Sequence, residues 1–200
     1  MASDTEIDNS GSDSSLALKE WAITQLALDR GEQIVLLRKG GIREEDNEFR
    51  LRGSEFLLYP TYDHQREELV KPAWRDELRR LAAEPRNAGE IRFSHWARVE
   101  HVAEVREKSA VAALSQYYIW TAEYAEARLD WKPRSPLLVL LVRVHRLEKE
   151  QTVPFHAAYA GCTSLVNLAA PVSLDAPTPV LSDAEFSARA ARCLELLRPG

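Results

Sequence analysis

Residues 137–147 are apolar at almost every position, with Leu138, Leu140, Val142 and Val144 on one face of an extended chain and Val139, Leu141, Arg143, His145 and Leu147 on the other. Such a run predicts a strand covered on both faces, central in a sheet. Residues 91–104 alternate instead. Ile91, Phe93, His95, Ala97, Val99, His101 and Ala103 share one side, while Arg92, Ser94, Trp96, Arg98, Glu100 and Glu104 share the other. A second long strand is favoured, and the recurrence of Trp96, Val99, Val102 and Val105 every three residues leaves a helix as the alternative. Residues 33–38 form a short buried strand after the turn-like Asp29-Arg30-Gly31, and residues 49–52 alternate as an exposed one. Residues 55–59 read as a further buried strand, stopped by Pro60. Around Trp21, Ile23 and Gln25 a strand competes with a short helix capped by Ser15.

Helical spacing is confined to three places. Pro72 suits a first helical turn, and Trp74, Leu78 and Leu81 follow at steps of four and three, up to Glu84-Pro85. Residues 109–129 read as helical turns capped by Ser109 and Thr121, and Lys132-Pro133-Arg134-Ser135-Pro136 breaks them. The last helix, 182–197, carries the strongest start signal. Ser182 with Glu185 forms a capping box, Leu181 with Phe186 a hydrophobic staple, and Phe186, Ala190, Cys193 or Leu194, and Leu197 the buried stripe. Residues 151–181 are rich in Pro and Gly and read as loop, with a short strand at 165–168.

Composition sets the limits around these elements. With 45% apolar residues in 200, one core can be filled, so residues 16–200 are expected to fold as a single domain. Residues 1–15 contain little but Ser, Asp, Asn and Gly and read as a disordered acidic tail. No apolar run is long enough to span a bilayer and no basic, apolar leader is visible, so a cytoplasmic protein with no membrane partner is expected. Cys162 and Cys193 lie outside any metal-binding or redox spacing. The net charge is -5, but the first fifteen residues hold four carboxylates and no Lys or Arg, which leaves the remainder almost neutral. Without a basic arm, non-specific duplex binding is disfavoured, and a nucleic-acid role must rest on few contacts.

The histidines show no zinc spacing, and no P-loop, G-x-S-x-G or G-x-G-x-x-G occurs. The acid-x-Lys pattern of metal-dependent nucleases occurs once, at Asp130-Trp131-Lys132, about the number that chance supplies. Two polar clusters at strand ends stand out. Arg38-Lys39-Gly40-Gly41 sets two cations beside backbone that can approach an anion closely, and Tyr59-Pro60-Thr61-Tyr62-Asp63-His64-Gln65 gathers stacking and hydrogen-bonding groups on one loop. Trp96, beside Arg98 on the polar side of its strand, adds a candidate stacking surface.

Leu18-Lys19-Glu20-Trp21, Ile34-Val35-Leu36-Leu37-Arg38-Lys39-Gly40-Gly41-Ile42 and Phe56-Leu57-Leu58-Tyr59-Pro60-Thr61-Tyr62-Asp63-His64-Gln65 resemble the domain of unknown function 1802 family of bacterial and cyanobacterial proteins. Tyr118-Ile119-Trp120-Thr121, Lys132-Pro133-Arg134, Val142-Arg143-Val144 and Gly161-Cys162-Thr163-Ser164 extend the resemblance over residues 16–187. The chain departs from it at Leu165, where members often have Trp, and Asp63 stands at a variable position. The order of elements is similar to the PUA-like superfamily, in particular its EVE and ASCH branches. That similarity implies an α+β fold with a curved mixed sheet or pseudo-barrel, flanking helices and a C-terminal amphipathic helix. It also implies RNA or modified-base binding and an association with defence systems.

The leading expectation is a non-catalytic binder of RNA, or of a base in single-stranded or locally opened DNA, without cofactor. Arg38, Lys39, Gly40 and Gly41 would contact phosphate, Tyr62 and Trp96 would stack, and His64 and Gln65 would read polar edges. The alternatives are a Mg-dependent nuclease or phosphodiesterase using Glu20, Asp63 and Lys39, and an adaptor that binds a protein partner.

Overall fold

The computed structural model describes residues 13–39, 55–161 and 163–198. Strand β1 (Asp13–Trp21) runs straight into helix α1 (Ala22–Asp29), the reverse of both readings of this region: the stretch after Ser15 is strand because it pairs with β3 and β6, and Ile23 and Gln25 lie in the helix. A turn through Gly31, whose φ is 67°, leads to β2 (Val35–Arg38). A side chain at Gly31 would strain the backbone and place its Cβ 2.6 Å from Leu181 Cδ2. Strand β3 (Glu55–Thr61), helix α2 (Pro72–Ala83) and strand β4 (Glu90–Val105) follow. Helices α3 (Lys108–Ala113) and α4 (Ala122–Asp130) are inserted before the long β5 (Leu137–Pro154). The chain then forms β6 (Leu165–Ser173), the two-residue β7 (Thr178–Pro179) and α5 (Asp183–Leu196).

These strands make one mixed seven-stranded sheet in the order β2-β5-β4-β3-β1-β6, with β7 also pairing β5. Antiparallel pairing dominates. The exception is β1 alongside β3, which run parallel with Ala17 opposite Leu57 and Trp21 opposite Thr61. Five helices and this sheet are the α+β architecture that the pattern of elements predicts. Among the described residues no helix is long and apolar enough to cross a membrane.

The sheet buries both faces, by different means. One face carries Leu18, Phe56, Leu58, Ala97 and the Leu138, Leu140, Val142 and Val144 row, packed under Ile23, Leu28, Trp74, Leu129 and Phe186 of the helices. The other is filled by Ala17, Leu57, Tyr59, Phe93, Trp96, Leu147, Val166 and Leu168 from the strands themselves, joined by Leu174 and by Tyr159 of a single 3-10 turn, with no residue of helices α1–α5 among them. A sheet covers its own face in this way only by curling over it. Alternation is consistent on β1 and β3, where neighbours such as Leu57 and Leu58 belong to opposite cores.

Several element boundaries differ from expectation for physical reasons. The predicted tail ends early, because Asp13 and Ser14 already pair with Ser173 and Val172 of β6; residues 1–12 lie outside the described residues. Pro60 does not stop β3, since the ladder to β4 ends at Leu57 and Pro60 lies beyond it, opposite Glu20 of β1. Residues 151–181 hold more strand than loop: β5 continues through Pro154, and β6 tolerates Pro171 because it is an edge strand. Helix α3 begins at Lys108 after Glu107, not after Ser109, whereas Thr121 caps α4 by accepting from the Tyr124 N–H. The Ser182–Glu185 capping box forms as expected. The exposed strand predicted at 49–52 lies outside the described residues.

Strand β4 contains the change that matters most for the site. Its register against β5 shifts between Phe93 and His95, where the facing stretch of β5 from Arg146 to Gln151 is the longer, and again between Val99 and His101, where β4 carries the extra residue. The first reverses the alternation, so Trp96 points to the same side as Ile91 and Phe93 instead of outward with Arg92.

Candidate functional site

A cleft of about 2150 Å³ opens where β1, β2 and β3 end and α4 begins to flank them. Its wall is built from the loop after β3, the connection between α2 and β4, one stripe of α4, and the segment after β5. Among the described residues, eight Lys or Arg side chains and four carboxylates line it. The chain carries a net charge of -5, so folding concentrates positive charge here that no linear segment displays. Folding thereby brings cations beyond Arg38 and Lys39 to the same place.

Arg38 and Lys39 reach this cleft from β2, and Tyr62, Asp63 and His64 reach it from the loop after β3, so the two clusters do converge. Their side chains are engaged differently. Arg38 is almost wholly buried; its Nη2 donates to Glu20 Oε2 at 2.6 Å and to the Lys19 carbonyl at 2.9 Å, while its Nε has no partner among the described residues. Lys39 is buried as well, its Nζ donating to the Leu129 carbonyl at the end of α4, and burial pushes its pKa down. Both cations therefore fasten β1, β2 and α4 around the cleft floor. Gly40 and Gly41 lie outside the described residues.

Tyr62 and His64 are exposed. The Arg86 guanidinium lies 3.9 Å from the Tyr62 ring centroid, forming a cation–π pair at the cleft wall. His64 adopts φ 62°, a left-handed conformation that a His tolerates and that turns the chain back toward α1. Gln65 follows that turn inward. Its Oε1 accepts from the Ile23 N–H at 3.1 Å, in the first turn of a helix whose N-cap residue, Trp21, supplies no side-chain cap. The expected edge-reading role of Gln65 gives way to capping.

Trp96 is corrected outright. It is buried in the strand-only core, its indole stacked on His145 with ring centroids 4.3 Å apart, and it does not line the cleft. The bulge before it is the cause. Burial first, then the nearby Arg143 and Arg98, lowers the His145 pKa to about 4.

The nuclease set fares no better. Glu20 and Asp63 line the cleft with Lys39, but Glu20 is held by Arg38 and the Lys39 ammonium faces a backbone carbonyl. Among the described residues no three His, Cys, Asp or Glu side chains are grouped to hold a metal ion.

Sequence reasoning missed the far wall of the cleft. Tyr124, Ala127, Arg128 and Trp131 stand on one stripe at and just beyond α4, and all face the cleft. Trp131 is 49% exposed and lies under the Lys132 ammonium, 4.5 Å from its ring centroid, while Lys132 holds φ 51°. Phe155, at 43% exposure, adds a third open ring beside Tyr62 and Trp131. The i, i+4, i+7 spacing of Tyr124, Arg128 and Trp131 was the available signal. Among the described residues Arg86, Arg128 and Lys132 form no ion pair: Arg86 donates to the Leu81 carbonyl and Arg128 to the Tyr124 hydroxyl.

The fold is similar to the crystal structure of ASCH from Zymomonas mobilis, at 11% identity over 88% of this chain and 93% of that one, with a TM-score of 0.43. A serine-to-alanine variant of that protein gives 11% identity, 88% and 94% coverage and a TM-score of 0.39. None of the curated proteins matches the chain. The family model of a domain of unknown function, DUF1802, matches residues 17–192, from β1 to within α5, and the chain belongs to that family.

Proposed function

We propose that the cleft binds single-stranded nucleic acid, as RNA or as locally opened DNA, without acting on it chemically. The observation that carries this reading is the pairing of cations with open aromatic faces, Arg86 on Tyr62 and Lys132 on Trp131, within one cleft whose described lining is positive in a negative chain. Bases stack on aromatic rings and on guanidinium planes, and neighbouring cations hold the phosphates. Arg128 supplies a further cation between the two pairs, and His64 offers a ring nitrogen to a base edge. Arg38 and Lys39 support the floor from beneath. Glu20 and Lys39 have other engagements, which is why hydrolysis is not the reading favoured here.

Fluorescence anisotropy of the full chain with randomised single-stranded RNA and DNA, at low and physiological salt, tests the proposal. Binding that weakens with salt and is lost in the Arg86→Ala, Lys132→Ala double variant is expected. Equal affinity of the double variant and the parent would sink it.

A further inference from the structure

Resting on the nucleic-acid reading of the cleft, we infer that its ligand is a segment of several nucleotides, engaged at two separate stacking stations, and not a mononucleotide or a single flipped base. Two features decide this. The first is size: pockets that enclose one small molecule span about 300–1,000 Å³, and this cleft measures about 2150 Å³.

The second is the placement of its aromatic rings. Tyr62 with Arg86 stands at the end of β3, where Thr61 pairs with Trp21. Trp21 packs on Tyr124 with ring centroids 5.2 Å apart, and Tyr124 begins the cleft-facing stripe of α4 that ends at Trp131 with Lys132. The order along the wall is therefore Tyr62, Trp21, Tyr124, Arg128, Trp131. The seven positions from Tyr124 to Trp131 rise about 10 Å at helical pitch. Stacked bases are about 3.4 Å apart along a strand, so this half of the wall alone spans about three nucleotides. One base cannot meet both Tyr62 and Trp131.

The exposed rings also set the strand state. Their faces are available only to bases that are themselves unstacked on one side, which a continuous duplex does not offer. Each station carries its own cation beside the ring, so each can hold a base together with its phosphate.

Displacement of a labelled randomised RNA octanucleotide separates these possibilities. The competitors are an equimolar mixture of the four mononucleotides and randomised di-, tetra- and octanucleotides, with a hairpin duplex as a further arm. Affinity is expected to rise at least about tenfold from mononucleotide to octanucleotide, because each base stacked on an aromatic ring contributes a factor of this order. Trp131→Ala is expected to weaken the octanucleotide about tenfold and to leave the dinucleotide within a factor of about two, since Tyr62 still serves it. Trp131 is exposed, so this variant should fold, which circular dichroism checks. Mononucleotides competing as well as octanucleotides, or a hairpin competing as well as single strands, would overturn the inference and leave nucleic-acid binding standing. Failure of the labelled octanucleotide to bind the parent chain at all would overturn both.

Discussion

The indole of Trp96 and the imidazole of His145 lie face to face, 4.3 Å apart between centroids and 8° from coplanar, in the core that the curled sheet makes for itself. Charging His145 would place a cation beside Arg143 and Arg98 in a site already short of partners, since His145 Nδ1, Trp96 Nε1 and Arg143 Nε are buried without hydrogen bonds among the described residues. The His145 pKa falls to about 4 in the fold, against about 6.5 in an unfolded chain. Between those values the unfolded state binds the proton and the folded state does not. The contribution of neutral His145 is thus complete above about pH 6.5 and is lost as pH falls toward 4, on the order of 2–3 kcal/mol. Urea unfolding from pH 7 to 4.5 measures that loss. A His145→Phe variant, which keeps a ring on Trp96, should show a distinctly flatter profile; an unchanged slope would remove His145 as the source.

The Glu20–Arg38 pair makes a different stability claim. Their side chains are only 11% and 10% exposed and 2.6 Å apart, so removing one leaves a charge with little water to receive it. Glu20→Ala should destabilise the fold by about 3 kcal/mol. Glu20→Leu combined with Arg38→Met should recover most of that, because the two penalties cancel. Denaturant midpoints for Glu20→Leu, Arg38→Met and the double variant close the cycle. A double variant as weak as the sum of the singles would show that the two side chains do not act as a pair.

Gln65 is predicted to matter through α1. Gln65→Ala removes the acceptor of the Ile23 N–H and should cost about 1 kcal/mol, the usual worth of a helix cap. Gln65→Glu retains the acceptor and adds charge at the favourable helix end, so it should equal or exceed the parent. Hydrogen exchange at Ile23 reports the effect locally. No acceleration in the alanine variant would assign Gln65 elsewhere.

Salt dependence distinguishes the cations that meet phosphate from those that shape the cleft. Deleting one cation that neutralises a phosphate of a bound single strand reduces the slope of log affinity against log salt by about 0.7. Arg128→Ala and Lys132→Ala should each do so, whereas Lys39→Met should lower stability and leave the slope unchanged. A Lys39 variant that alters the slope at undiminished stability would restore the direct phosphate role its sequence position implies.

These contrasts show what the chain reveals on reading and what it withholds. Strand β5 and helix α5 are visible because every local signal agrees: an uninterrupted apolar run in one, cap, staple and stripe in the other. Strand β4 is visible as a strand, but its bulges are not. A break in register leaves composition untouched and reverses the alternation that follows it, so Trp96 reads as exposed and is buried. The convergence of Arg38 and Lys39 with Tyr62 and His64 follows from the strand-end positions of both clusters, though their engagement with Glu20 and Leu129 depends on long-range packing. Trp131 escaped notice because it ends a helix of weak amphipathic character and directly precedes a polar breaker segment. Its importance appears only when α4 is laid against the ends of β1 and β2.

The parallel pairing of β1 with β3 has a consequence for the order in which the chain becomes structured during synthesis. Strand β1 emerges from the ribosome ahead of every other described element, yet its two neighbours in the sheet are formed by residues 55–61 and 165–173. One side of it waits for about a quarter of the chain and the other for most of it. Until β6 is extruded, the backbone of β1 keeps an open edge, and the apolar side chains that will fill the curled face stay within reach of any other strand nearby. The nascent protein therefore holds its first strand in reserve, and its folding is closed by nearly the last one.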